Sequence, residues 1–423
     1  MKETKTKIIV IGGGAAGFFG AITFADNNPN AEIIILEKST KLLAKVEISG
    51  GGRCNVTNGL RDNEKFSENY PRGKREMLGP LNRFNNFDTI KWFNDKDVNL
   101  KIEEDGRVFP SNNNSKTIIN CLVNEAKKRK IEILVKEDVE NIFWSETELI
   151  WKVVTTKNKE YQCDAVFIAT GSNNKMWEIL KQLGHKIIEP VPSLFTFNIS
   201  DDRIKGLEGI SHQQVELRIE NSKLVENGPL LFTHWGLSGP VVLRLSAWGA
   251  IELAKKNYQF ELRINFTERK NKETFFDELL NLKKELHSKE VSKYPLFNIP
   301  TRLWIRLNAI SSIDEKIKWK DVPNNSLRQL AANLCELKLN VTGKSIFKEE
   351  FVTSGGVDLK EINFKRMESK LHKNLFFAGE VLNIDGITGG FNFQAAWTTA
   401  FIAGSSELPA SLTEQTDIQA NIT

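Results

Sequence analysis

Cysteine is scarce in this 423-residue chain: Cys54, Cys121, Cys163 and Cys335 stand far apart, with no CxxC pair and no metal-ligand spacing. That excludes a disulfide framework, a zinc site and a paired-cysteine redox centre, and it fits free thiols in a reducing compartment. Long hydrophobic runs are missing as well. Nothing approaches the roughly 18 consecutive apolar residues of a membrane span. The apolar stretch after the basic start MKETKTK, Ile8 to Ile11, is too short for a signal peptide. A strong charge excess is also lacking, because 58 Lys and Arg are interspersed with 54 Asp and Glu for a formal net charge of +4. Dispersed charge of this kind is no nucleic-acid footprint. The expectation is a soluble, cytoplasmic protein with no membrane or nucleic-acid partner, and the length predicts two or three domains.

What is present begins at residue 7, with KIIVIGGGAAGFFGAITFADNNPNAEIIILE. An apolar strand runs into Gly12-x-Gly14-x-x-Gly17, a helix follows, and a second strand ends on Glu37. Gly12 permits a tight turn, Gly14 lets the backbone approach a pyrophosphate, and Gly17 allows close helix–strand packing. The phosphates then meet unpaired N–H groups at the helix start, around Ala15 and Ala16. Glu37 and the adjoining Lys38 stand where a ribose is bound. An acidic side chain at this offset accepts from the 2′-hydroxyl and would repel a 2′-phosphate, which favours FAD or NAD over NADP.

Beyond Glu37 comes a polar, glycine-rich loop, then helical patterns at 77–85, 88–94 and 114–130. A β run over 131–168 has polar breaks and reads as a meander, without a second crossover helix, ending in Ala165–Ala169 and Thr170-Gly171. From about 190 to 343 short alternating strands predict a small barrel or sandwich. A helix starts at Pro240 with Ser238 as the expected N-cap, and helical patterns cover 271–290, 301–310 and 326–336. The ending NLFFAGEVLNIDGITGGFNFQAAWTTAFIAG supplies a strand, Gly379-Glu380, Gly389-Gly390 and an apolar helix.

The N-terminal unit, GGGRCN, ATG, THWGLSGP and FAGEVLNIDGITGGFNFQAAW together resemble one family: two-dinucleotide-fold flavoproteins of the aminoacetone-oxidase-like or bile-acid-reductase-like kind. The resemblance spans nearly the whole chain. It implies an α/β fold, a Rossmann-like FAD-binding domain of the glutathione-reductase type, interrupted by a β-barrel and a small helical insert. The boundaries expected are 1–190 and 346–410 for the FAD domain, 191–268 with 337–345 for the barrel, 269–336 for the helical insert and 411–423 for a disordered tail.

Carried over by resemblance, Gly12, Gly14, Ala15, Ala16 and Gly17 would hold the FAD pyrophosphate, and Glu37 the ribose. Lys45 and the loop Ser49, Gly50, Gly51, Gly52, Arg53, Cys54, Asn55 would lie along the cofactor. Val139 would face the adenine, Thr170 and Gly171 would close over the adenosine, and Gly379-Glu380 would contact the ribityl and pyrophosphate. Asp385 and the stretch Gly389, Gly390, Phe391, Asn392, Phe393 would meet the flavin. The glycine pair ahead of a helix N-terminus suits an anionic reduced ring.

Two residues are candidate catalytic groups. His234, beside Trp235, fits a proton donor or base, although a hydrogen-bonded structural histidine is the commoner outcome for such a residue. Arg107 fits a bidentate partner for an anionic substrate, and equally a surface arginine. Cys54 reads as structural, with no resolving partner. A second GxGxxG is absent, so NAD(P)H is expected only as a transient co-substrate. The expected activity is hydride exchange between FAD and a small organic molecule. The alternatives are an FAD-dependent RNA modifier, motivated by a pI of 8.6, and a flavin-bearing sensor without turnover.

Overall fold

The computed structural model describes residues 5–267, 269, 271–345 and 352–408. The tail expected at 411–423 lies outside them. The chain separates into two compact units, Met1–Val191 with Val352–Thr423 and Pro192–Phe351.

The first unit is built on β1 (Lys7–Ile11), α1 (Ala15–Asn27) and β2 (Glu32–Glu37). Both strands are β-branched and almost wholly buried, the composition of strands covered on both faces of a parallel sheet. β1 lies between β2 and Ala165–Ile168, all parallel. Glu132–Val135 extends the β2 side in parallel, and Leu375–Phe377 the other side. Two short antiparallel strands, Glu368–Ser369 and Ile362–Asn363, finish that edge. The end of β1 is thus a topological switch point, where open α/β sheets bind ligands.

α1 is buried nearly all round because it packs against the sheet and against the C-terminal helix Phe391–Gly404. Small residues allow this. A Cβ on Gly20 would sit 2.3 Å from the Phe167 ring, and one on Gly404 would sit 2.9 Å from Gly20 O. Full burial of side chains such as Phe19 and Trp397 contributes roughly 1.5–3 kcal/mol each.

The absence of a second crossover is corrected. The amphipathic helix Ser115–Lys128, N-capped by Asn114, leads into Glu132–Val135, which joins the parallel sheet. The meander itself comprises Val139–Ser145, Ile150–Thr155 and Glu160–Cys163. The glycine-rich loop after Glu37 also holds a helix, α2 (Ala44–Gly52), whose last turn leaves helical geometry at Ser49.

The second unit carries a seven-stranded sheet in the order Leu337–Val341, Phe260–Asn265, Ser211–Ile219, Val225–Thr233, Gly236–Ser238, Thr196–Asn198, Gly343–Ser345, with antiparallel pairing throughout. Helices Lys272–Glu285, Thr301–Ile310 and Asn324–Glu336 contribute to one apolar cluster with that sheet, including Phe197, Leu217, Trp304 and Leu330. The helix Pro240–Lys255 does start on proline, but Gly239 is its N-cap. Ser238 remains in the preceding strand, so the expected serine cap is not formed.

A buried relay ties the sheet edge of the first unit to the loop at 183–186. Ser369 Oγ accepts from the N–H groups of Leu371 and His372, each at 3.0 Å. Its own proton therefore goes to His185 Nε2, at 3.1 Å, and the ring's Nδ1–H goes to Glu361 at 2.8 Å. This pattern requires a neutral imidazole. Burial pulls the His185 pKa below its usual 6.5 against the opposing pull of Glu361, and His372 lowers it further. Burial also lowers that of His212 in the second unit, whose ring faces Phe266 O. The unfolded chain then binds more protons than the folded one once pH falls below about 6.5. Stability is expected to be fully present above that value and to decline as pH drops toward 5. Equal denaturation midpoints at pH 7.5 and 5.5, together with no effect of His185→Gln on the pH profile, would contradict this.

Candidate functional site

The N–H of Gly12 bonds Leu36 O at 2.9 Å, which fixes the turn off β1. α1 then begins with no side-chain cap and no acidic residue in its first turn. Its first N–H groups and the positive end of its dipole are left to an outside anion. Gly17 and Gly14 differ in what surrounds them. A Cβ on Gly17 would lie 1.9 Å from Gly12 O, whereas one on Gly14 would meet no protein atom within 4 Å. The space beside Gly14 is one that this chain leaves unfilled.

Glu37 is locked at the end of β2. One carboxylate oxygen accepts from Gly13 N and the other from Ser39 N, each at 2.8 Å. An ionised carboxylate has lone pairs beyond these two bonds. Next to it a cleft is lined by Lys38, Val139, Thr170, Asn173, Lys175 and Met176. The last three were not foreseen. Asn173 N-caps the helix Asn174–Gln182, and Lys175 is held by Asp138 at 2.8 Å; the GSNNK run after ATG was the available signal.

At the other end of α2, Gly50, Gly51 and Gly52 take φ of +58°, +67° and +81° in succession. Side chains are strained there, so these glycines set a defined shape and do not act as a loose linker. Cys54, directly after, is fully buried, and burial pushes its thiol up to about 12. At neutral pH it stays protonated and unreactive. Lys45 pairs with Glu380 and also reaches Ser172 Oγ at 3.3 Å. The second oxygen of Glu380 accepts from Thr353 N at 2.9 Å, and Gly171 lies against the same carboxylate. Lys45, Gly171 and Gly379-Glu380 therefore converge from three separate stretches of sequence.

The start of the C-terminal helix is equally fixed. Gly390, at φ +95°, is its N-cap, and a Cβ there would lie 2.3 Å from Thr57 O. Asn55, with its amide oriented to satisfy both atoms, donates to Thr57 O and accepts from Gly390 N, each at 2.9 Å. Asn58 donates to Gly389 O at 3.0 Å. Asn392 exchanges two 2.8 Å bonds with the backbone of Gly386, Tyr70 donates to Phe391 O, and the Phe393 ring stacks on Trp397. Below them runs a buried ladder: Thr57 and Thr89 donate to Gln394 Oε1 at 2.6 and 3.0 Å, and Gln394 donates to Thr398 Oγ1 at 2.9 Å. The helix has no side-chain cap and no first-turn acid.

Asp385 is placed differently from its neighbours. Its side chain is fully buried, and its two oxygens accept from Nε and Nη2 along one edge of the Arg72 guanidinium. Arg107 belongs to this unit too and pairs with Asp105 at 2.7 Å, while Arg53 stacks 3.8 Å above Phe109 and pairs with Glu103 at 2.8 Å. His234 belongs to the second unit and is exposed at a hairpin tip. Among the described residues no group of three or more His, Cys, Asp and Glu could hold a metal ion, and no helix is long and apolar enough to cross a membrane.

Residues 6–406 match the model of the HI0933-like protein Rossmann domain. The chain belongs to the HI0933-like family. Among curated relatives, it is 29% identical to the ribosomal RNA dihydrouridine synthase of Haemophilus influenzae, over 94% of this chain and 97% of that one. It is 24% identical to the 3-dehydro-bile acid delta(4,6)-reductase of Clostridium scindens, over 94% and 98%. Among solved structures, the 3-ketosteroid-delta4-(5alpha)-dehydrogenase of Rhodococcus jostii aligns over 96% of this chain and 98% of that one, with a TM-score of 0.50 at 13% identity. The last likeness concerns the fold.

Proposed function

We propose that this chain is an FAD-dependent oxidoreductase that saturates a carbon–carbon double bond conjugated to a carbonyl group, with NAD(P)H as a visiting electron donor. The observation that carries the reading is the pair of uncapped helix N-termini, at Ala15 and Phe391, in one unit, each reached through glycines that bring the backbone close. Bound FAD would supply a two-electron carrier that exchanges hydride at its N5.

The chain's own residues would do the rest. Gly12, Gly14, Ala15, Ala16 and Gly17 would take the pyrophosphate, which fits the unfilled space beside Gly14. Glu37 would accept from the ribose, and Lys38, Val139 and Thr170 would line the adenine cleft. Lys45, Ser49 to Asn55, Gly171 and Gly379-Glu380 would run along the middle of the cofactor. The first turn of the C-terminal helix would stabilise negative charge at the ring, from Gly389 to Phe393. Asp385 would act through Arg72, as a positioning group, since both its oxygens are engaged. The barrel-and-helical-insert reading of residues 191–345 would give the substrate its own surface, with His234 and Arg107 as candidate proton-transfer and anion-binding groups.

Double-bond saturation draws on two relatives whose names, dihydrouridine synthase and delta(4,6)-reductase, both describe it. A second reading narrows the substrate to uridine in ribosomal RNA. It is favoured by the relatives from Haemophilus influenzae and Escherichia coli, 29% and 26% identical, which share that name. It stands against the expectation of no nucleic-acid partner drawn from dispersed charge.

Anaerobic stopped-flow mixing of the flavin-loaded protein with NADH and with NADPH, followed by a conjugated dienone steroid, uridine-containing RNA or oxygen, tests this. Flavin bleaching followed by recovery with one of the first two acceptors is expected. Protein that binds no FAD on titration, or that is reoxidised by oxygen alone, would overturn it.

A further inference from the structure

Resting on the second reading above, we propose that the hairpin tip Thr233–Gly236 and the loop packed on it form a docking face for single-stranded RNA, in which a base stacks on Trp235 and Lys205, Arg302 and Arg306 hold neighbouring phosphates. The charge of the chain is less evenly spread than its total implies. Residues 192–351 contain 24 Lys and Arg against 20 Asp and Glu, a net +4, and the remainder contains 34 against 34, a net of zero. The whole excess lies in the second unit.

The tip breaks a local rule. Thr233 pairs with Gly236, so His234 and Trp235 form the two-residue connection of a β-hairpin. Such connections ordinarily carry Asn, Asp or Gly. Large side chains where turn chemistry favours small ones point to a role outside folding. Trp235 is 37% exposed, while Trp151, Trp177, Trp304, Trp319 and Trp397 are at most 2% exposed. Its indole N–H donates to Thr196 Oγ1 at 3.1 Å and its carbonyl accepts from Ile199 N at 2.8 Å, so the ring is held in place. A held aromatic face needs little ordering before a base stacks on it.

The cations gather on the loop that leaves this tip at Ile199 and returns at Gly209, where Gly209 N bonds Phe232 O at 3.0 Å. Arg302 donates to Gly206 O and Arg306 to Lys205 O, so two guanidinium groups from the helix Thr301–Ile310 are pinned beside Lys205 by backbone carbonyls. Among the described residues neither arginine has a carboxylate within 4.0 Å. Nearby acids are partly committed: Asp201 pairs with Arg203 at 2.7 Å, and Glu208 accepts from Gly206 N at 3.2 Å within electrostatic reach of His234 and Arg302. Asp202 is the exposed exception, 4.0 Å from Lys205. Three cations on two elements, beside a loop whose ends are hydrogen-bonded to the tip, suit a polyanion with stacked bases. A steroid with one carboxylate would use only one of them.

The test is binding of a fluorescein-labelled, uridine-containing single-stranded RNA to the flavin-loaded protein, read by anisotropy from 50 to 200 mM salt. Flavin absorbance per chain checks folding. Trp235→Ala is expected to weaken binding about 5- to 100-fold, the range of a lost base stack, and Trp235→Phe to restore most of it. Arg302→Gln with Arg306→Gln is expected to reduce the slope of log affinity against log salt by about 1.4. Trp248→Ala, at another exposed tryptophan, should change nothing. RNA affinity and salt slope unaffected by the Trp235 and arginine changes, or no RNA binding by the wild-type chain, would overturn the proposal. In the last case, reoxidation of the reduced flavin by a dienone would leave the double-bond reductase reading standing.

Discussion

Gly14→Ala is expected to weaken FAD binding by about 5- to 100-fold while leaving the stability of the flavin-free protein within about 0.5 kcal/mol of wild type. The effect is steric. Gly14 sits at φ −93° and ψ −169°, extended backbone that alanine adopts freely, and its new methyl would meet nothing in the chain. Only a ligand pressed against that backbone would feel it, and overpacking by one methyl costs about 1–3 kcal/mol. Gly17→Ala is the contrasting case. Its methyl would lie 1.9 Å from Gly12 O, a backbone atom that cannot swing away. The flavin-free protein itself should lose about 1–3 kcal/mol or more, with FAD affinity falling as a consequence. Urea denaturation of the apoprotein and FAD titration by fluorescence separate the two effects. Equal FAD affinity for Gly14→Ala and wild type would remove the pyrophosphate from this turn.

The second large effect is at Asp385. Its carboxylate is fully buried and meets the Arg72 guanidinium, whose side chain is 12% exposed. Both charges left water to make the pair, and attraction offsets that loss only while both are present. Asp385→Ala would remove the buried carboxylate that faces the Arg72 cation, at a cost of about 3–5 kcal/mol. Replacing both together, Arg72→Met with Asp385→Leu, is expected to recover most of that in denaturant titrations. The segment concerned also holds the backbone of Gly386 through Asn392. The single variant should therefore also shift the flavin absorption bands, and the double variant should shift them less. A single variant within 1 kcal/mol of wild type would show that Arg72 finds water or another acceptor.

How much of this was legible in the sequence depended on distance along the chain. The βαβ unit was readable because its signals are local: β-branched strands, spaced glycines and a terminal Glu37. So were the helix at 301–310 and the proline-led start at Pro240. Ser238 does not cap this helix because Gly239, free to take φ +97°, makes the turn itself. The crossover helix Ser115–Lys128 was recognised, but its topological role was missed. Whether Glu132–Val135 pairs with β2 or with the next hairpin depends on sheet position, which four residues do not encode. The Arg72–Asp385 pair could not be read at all, since 313 residues separate its members and nothing in either neighbourhood announces a partner. The convergence of Lys45, Gly171 and Glu380 came from the resemblance, not from spacing.

The ladder beneath the C-terminal helix has a consequence for biosynthesis. Thr57 and Gln394 are 337 residues apart, and Leu375–Phe377 fills its place beside Ala165–Ile168 only after the whole second unit has been translated. At roughly 5–20 residues per second, the emerging N-terminal part waits on the order of 10–45 s for the strand and helix that complete it. During that interval one flank of its central sheet lacks its native neighbour, an edge open to wrong pairing. With the cofactor held at both helix starts, as proposed, its loading would be a late event in the life of the polypeptide.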